Sequence, residues 1–144
     1  MDVTHIPFNV LVGIERAEVD GALLQLPSDP RYLNHLGTVH ASALLALAEA
    51  SSGEFLFRHL NSLDGFAPVV RRLDAKFRKP AKGLIVSSAS VAPGTLTQFD
   101  ADLATKGRSL VAVSVELHDQ SGVRVLSMTI EWFVQRVLQS PATA

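Results

Sequence analysis

One carboxylate stands out as a group that could do chemistry. Glu49 lies in ASALLALAEASSGEFLFRHL, where its neighbours at helical spacing are Leu45, Ala46, Ser52 and Gly53. No Lys or Arg sits at i±3 or i±4 to form a local ion pair. Burying a carboxylate in an apolar helix is costly, and desolvation raises its pKa toward the range useful to a general base. The competing reading is a helix glutamate that meets water or a partner from another element. Rival chemistries are few. The absence of cysteine excludes thiolate nucleophiles, disulfides and Cys-based metal sites. The five His residues form no HExxH and no carboxylate–His cluster at ligand spacing, so no metal site is expected. GxSxG, P-loop and GxGxxG patterns are missing too.

Something must hold Glu49 in place, and the composition bounds what that is. The chain has 144 residues, 47% of them hydrophobic, with 13 basic and 14 acidic side chains. That is enough for one core without disulfides or metal. A single domain is expected over residues 1–138, with a flexible tail over 139–144. The net charge of -1 argues against a nucleic-acid binder, which carries a basic excess. The N-terminal MDVTHIPFNVLVG lacks a positive n-region and a cleavage site, and no apolar run suits a membrane helix. A cytoplasmic location is the expectation.

The helix carrying Glu49 is predicted over His40–Leu60, rich in Ala and Leu and apolar on nearly every side, hence buried. Residues 10–26 read as mostly extended, closed by the turn cluster Pro27–Pro30, and 31–39 as a structured loop. Leu73, Ala75 and Phe77 alternate with Arg72, Asp74, Lys76 and Arg78, which predicts a half-buried strand with one charged face. Further strands are expected over 84–92, 109–118 and 123–134, the last two joined by the hairpin loop 119–122. Thr95–Lys106 reads as a short helix, with Thr95 and Gln98 at capping-box spacing, although Thr97, Phe99, Ala101 and Leu103 also alternate as a strand would. A long apolar helix with several antiparallel strands is an α+β pattern. The helix needs wrapping on all sides, and a curved antiparallel sheet is the available partner.

Residues 34–53, NHLGTVHASALLALAEASSG, carry a specific pattern. They resemble the hot-dog-fold acyl-CoA thioesterases of the phenylacetate-degradation and four-hydroxybenzoyl-CoA type. Asn34, Gly37, Thr38, His40 and Glu49 match that signature in spacing, and RRLDAKFRKPAKG and GRSLVAVSVELHDQSGVRV resemble later segments. Two departures are visible: His-Gly-Gly is replaced by His40-Ala41-Ser42, and residues 93–106 are an insertion relative to compact members. The resemblance implies hydrolysis of an acyl thioester to a free acid and coenzyme A, with no cofactor. It implies Glu49 as general base or nucleophile, and the Ala41 N–H as an oxyanion donor, a role that free N–H groups at a helix N-terminus suit. Asn34 would hold the carbonyl or orient water, or merely bond its own loop. His40 would organise the loop or transfer protons. Gly37, Ser42, Val70 and Phe77 fall at substrate-side positions, though Val70 has no polar side chain to offer, and Phe77 reads more readily as core. Arg71, Arg72, Lys76, Arg78, Lys79 and Lys82 read as a solvated strand face, or as a seat for the phosphates of coenzyme A.

Spacing adds a constraint. Ala41 and Glu49 are eight residues apart, about 12 Å along a helix at 1.5 Å per residue. An oxyanion donor must lie about 3 Å from the reacting oxygen. One helix cannot easily bring both groups to one carbonyl, whereas two antiparallel helices related by a two-fold axis can. The expected functional unit is therefore a homodimer with shared sites, or a dimer of dimers. Two alternatives remain open: a hot-dog hydratase or dehydratase pairing His40 with Glu49, and a non-catalytic acyl-thioester-binding protein.

Overall fold

The computed structural model describes residues 1–138; the expectation for the tail lies outside them. Nearly every residue of the long helix α2, Ala41–Leu60, is predicted helical and found so. His40 is its N-cap rather than its first residue, with extended backbone and the ring Nδ1 accepting from the Ser42 N–H at 2.9 Å. Asn61, with φ 59°, stops the helix.

The sheet has six strands, β1 (Glu15–Arg16), β2 (Leu24–Leu26), β3 (Phe66–Phe77), β4 (Ile85–Ser90), β5 (Arg108–Asp119) and β6 (Arg124–Arg136), in the order β1-β2-β4-β5-β6-β3. All neighbours are antiparallel. On β5 the alternation is plain: Val111, Val113, Val115 and Leu117 are buried, facing Trp132, Ile130, Met128 and Leu126 of β6 in register. These apolar faces meet Leu44, Leu47, Ala48 and Leu56 of α2 in one core. The helix lies over β2, β4 and β5 and reaches β6. This is the α+β, sheet-around-helix architecture expected. Leu47 is fully buried there, so Leu47→Ala should cost about 2–5 kcal/mol, read as a lower denaturant midpoint at constant m-value.

The structure corrects three local expectations. The segment read as extended from residue 10 begins inside a short helix, α1 (Pro7–Val12): Pro7 starts it, and Gly13, at φ 87°, ends it by donating to Asn9 and Val10 carbonyls. Helix α3 (Thr95–Lys106) forms as read, burying Phe99 and Leu103, but without a capping box. Gly94 is the N-cap, and Gln98 donates to Asp102 at 3.1 Å instead.

The third correction concerns β3. Its alternation exists, because Leu73, Ala75 and Phe77 pair with Ile130, Met128 and Leu126 and so share the helix side of the sheet. Yet Leu73 is 49% and Phe77 48% exposed. Phe77 is therefore not core. The reason is position: among the described residues β3 is the sheet edge, bonded to β6 alone, while α2 packs mainly over β2, β4 and β5. Over its 12 residues the other backbone edge has no partner strand among the described residues.

Candidate active site

The Asn34–His40 loop is shaped by its own hydrogen bonds. The Asn34 side-chain oxygen accepts from the Leu36 N–H at 2.9 Å and the Thr38 N–H at 3.1 Å, while its amide donates to the Thr38 hydroxyl at 2.9 Å. Gly37, at φ 72°, makes the reversal that a side chain would resist. The Val39 N–H donates to the Ala81 carbonyl at 2.8 Å, and the His40 N–H to the Tyr32 carbonyl at 2.7 Å. The first bond docks the loop against the turn after β3, and the second ties its end back to Tyr32.

The result is a groove of about 400 Å³ whose walls include Asn34, Thr38, Ala41 and Leu44 on one side and Phe77–Ala81 on the other. Three sequence-predicted positions, Asn34, Ala41 and Phe77, meet here. Ala41 is exposed and is the first helical residue. The next N–H groups are satisfied by His40, through Nδ1 for Ser42 and through its carbonyl for Ala43 and Leu44. The Ala41 N–H has no acceptor among the described residues. The family glycine is replaced without strain, since Asn61 is the one non-glycine residue at positive φ among the described residues.

Glu49 does not line this groove. It sits two turns along α2 on a stripe with Ser42, Leu45 and Ala46, which is exposed or half-buried where the opposite face is covered by sheet. One turn further, the buried Trp132 indole donates to the Ser52 hydroxyl at 2.9 Å, and that hydroxyl donates to the Glu49 carbonyl at 2.7 Å. The stripe thus runs on the β6–β3 side of the helix. The Glu49 carboxylate has no hydrogen-bond or ion-pair partner among the described residues, and burial raises its pKa above the ordinary value. With an acid whose pKa is higher folded than unfolded, the folded state holds more protons, so stability falls as pH rises through the window above that ordinary value. Glu49→Gln should flatten this slope in thermal melts taken across the window.

Sequence reasoning passed over a second carboxylate. Glu54 is 3% exposed and bridges Arg58, whose Nε donates at 2.5 Å, and Arg16. Arg58 at i+4 was the visible signal. Arg16 arrives from β1 and was not visible. Glu54 is thus satisfied by two cations, where Glu49 has none. Val70 is half-buried opposite Trp132, and the exposed Ser42 offers its hydroxyl at the start of α2. Among the described residues no group of three His, Asp or Glu is placed to hold a metal, and no helix is long and apolar enough to cross a membrane.

The model of a domain of unknown function, DUF4442, matches residues 6–134. No curated protein matches the chain. Among solved structures, a Pseudomonas aeruginosa protein of unknown function, described as a probable thioesterase, is 28% identical, with a TM-score of 0.77 over 94% of this chain and 91% of that one. A Haemophilus influenzae thioesterase is 18% identical, with a TM-score of 0.70 over 95% and 88%. A Bacillus halodurans protein, solved with coenzyme A, is 23% identical, with a TM-score of 0.62 over 77% and 69%. The fold is the hot-dog fold of these proteins.

Proposed function

The chain belongs to the DUF4442 family and has the hot-dog fold, and from that premise we propose that it is an acyl-CoA thioesterase, using water to cleave an acyl thioester to a free acid and coenzyme A. One observation carries the reading. A single helix holds both an unpaired, desolvated carboxylate and an unsatisfied N–H that opens onto a groove. Desolvation suits the first to deprotonate water or attack the carbonyl; the second meets the negative charge that develops on the carbonyl oxygen. The likeness to thioesterases, and to a protein solved with coenzyme A, supports the substrate class.

The remaining residues take supporting roles. Asn34 holds the Gly37 turn, because its amide is already engaged within the loop. His40 organises the helix start, because its Nδ1 accepts the Ser42 N–H. Phe77 borders the path of the pantetheine arm, whereas Val70 packs opposite Trp132 and is not in the groove wall. Gly37 acts through the loop turn it makes, and Ser42 follows Ala41 on the helix; neither is in the groove wall.

The site is completed by a second copy of the chain. Ala41 and Glu49 are separated by about 12 Å of helix. The β3 edge has no partner strand among the described residues, Leu73 and Phe77 are half exposed, and the Glu49 stripe lies toward β6 beside it. A long edge strand with exposed apolar side chains on one face favours being covered. Two-fold pairing there would set Ala41 of one protomer against Glu49 of the other.

A panel of short, long and aromatic acyl-CoA substrates with free-thiol detection tests the proposal. Release of coenzyme A from at least one is expected. Binding without release would favour the non-catalytic carrier, and hydration of an enoyl-CoA would favour the hydratase.

A further inference from the structure

We propose that Trp132 and Ser52 are positioning residues that hold the Glu49 turn of α2 against β6. The inference rests on the thioesterase reading and names what keeps its base in place. The Trp132 indole donates to the Ser52 hydroxyl at 2.9 Å, and that hydroxyl donates to the Glu49 carbonyl at 2.7 Å. Chemistry fixes the order of the protons. An indole N–H can only donate, so the Ser52 oxygen accepts from it and turns its own proton to Glu49. Ser52 and Trp132 are both buried, and bonds in such a chain strengthen one another where water is excluded.

The packing around the indole keeps it in place. Trp132 stands in register between Val70 of β3 and Val111 of β5, with the buried Ile130 and Val134 beside it along β6. Phe57 meets it edge-on at 5.8 Å between ring centres. Gly53, the residue after Ser52, leaves the helix surface bare beneath the ring. A Cβ there would lie 3.5 Å from the indole and 3.6 Å from the Phe57 ring. A methyl would just fit, and anything longer would push the ring away. Glycine weakens a helix interior, and this one sits where the ring meets the helix. Among all these residues Glu49 alone titrates. Its carboxylate therefore rises from a turn tethered to the sheet among apolar side chains, which holds it half out of water.

The test uses Trp132→Phe, which keeps a ring and deletes the donor, and Ser52→Ala, which deletes the relay. Each should lower kcat on acyl-CoA about tenfold or more with KM nearly unchanged, because a displaced base loses its attack geometry. The double variant should be no worse than the worse single one, since both cut the same chain. Loosening the turn admits water to Glu49, so the acid limb of the pH profile should move down toward the ordinary carboxylate range. Phe57→Leu, which keeps both hydrogen bonds, should leave that limb in place. Carbon-13 NMR of the Glu49 carboxyl, identified by its loss in Glu49→Gln, reads the same shift without any substrate. If the titration moves in both variants while no thioester is hydrolysed, the positioning role stands and the thioesterase reading fails. Unchanged kcat and titration, additive losses in the double variant, or a lower melting temperature with the limb unmoved would overturn the role.

Discussion

Glu49→Gln is expected to lower kcat on the best acyl-CoA substrate by about 10²–10⁴-fold, the range of general-base contributions. The amide keeps the shape and removes the charge. Because the native carboxylate is desolvated and without a partner, the variant should also melt no lower than the native protein near neutral pH. The pH profile supplies an independent readout. Native kcat/KM should rise with pH through an acid limb set above the ordinary carboxylate range, and the variant should lack that limb. A variant with near-native turnover would remove Glu49 from the chemistry. Glu54→Gln is the control: that residue is tied to Arg16 and Arg58, so its loss should lower stability and leave the acid limb in place.

Ala41→Pro is expected to cost about 10²–10³-fold in kcat while the helix survives, the loss that follows removal of one oxyanion-hole donor. Proline deletes the N–H and is favoured at the first position of a helix. The preceding residue, His40, is already at φ -60° and ψ 139°, where a residue before proline belongs. Circular dichroism and melting should therefore match the native chain. The same variant tests sharing between protomers. When Ala41→Pro and Glu49→Gln chains are mixed, a shared site puts both lesions in one site of each heterodimer and leaves the other intact. Random assortment makes about half the dimers mixed, hence about a quarter of native activity returns. Heterodimers confirmed by differential tags that stay inactive would sink the shared-site arrangement.

How far could such geometry be seen in advance? The long helix was legible because twenty residues without a strong breaker, rich in Ala and Leu, have few other conformations available. The strands of residues 108–119 and 124–136 were legible because one face is buried, and a period of two then shows in the side chains. Helix α3 ends at Lys106 as read, because Gly107 takes the left-handed conformation at φ 71° and its N–H closes back onto the Leu103 carbonyl. The short helix α1 was missed because it turns its polar residue, Asn9, inward to the Val3 carbonyl and leaves Phe8 and Leu11 exposed. That inversion gives no amphipathic signal to read.

The sequence by itself determined the elements, and the identity of Glu49 as a carboxylate with no neighbour on its own helix. Local propensity and periodicity act between residues that are close along the chain, and those suffice for both. Tertiary structure alone decided which strand became the edge, and so why Leu73 and Phe77 remain half exposed although their alternation is that of a buried strand. It decided that Glu54 is neutralised by an arginine 38 residues away while Glu49 is left without a partner. It also brought Asn34, Ala41 and Phe77 to one groove. Edge position, ion pairing and groove walls depend on contacts between distant segments, and no spacing along the chain encodes which segments will meet.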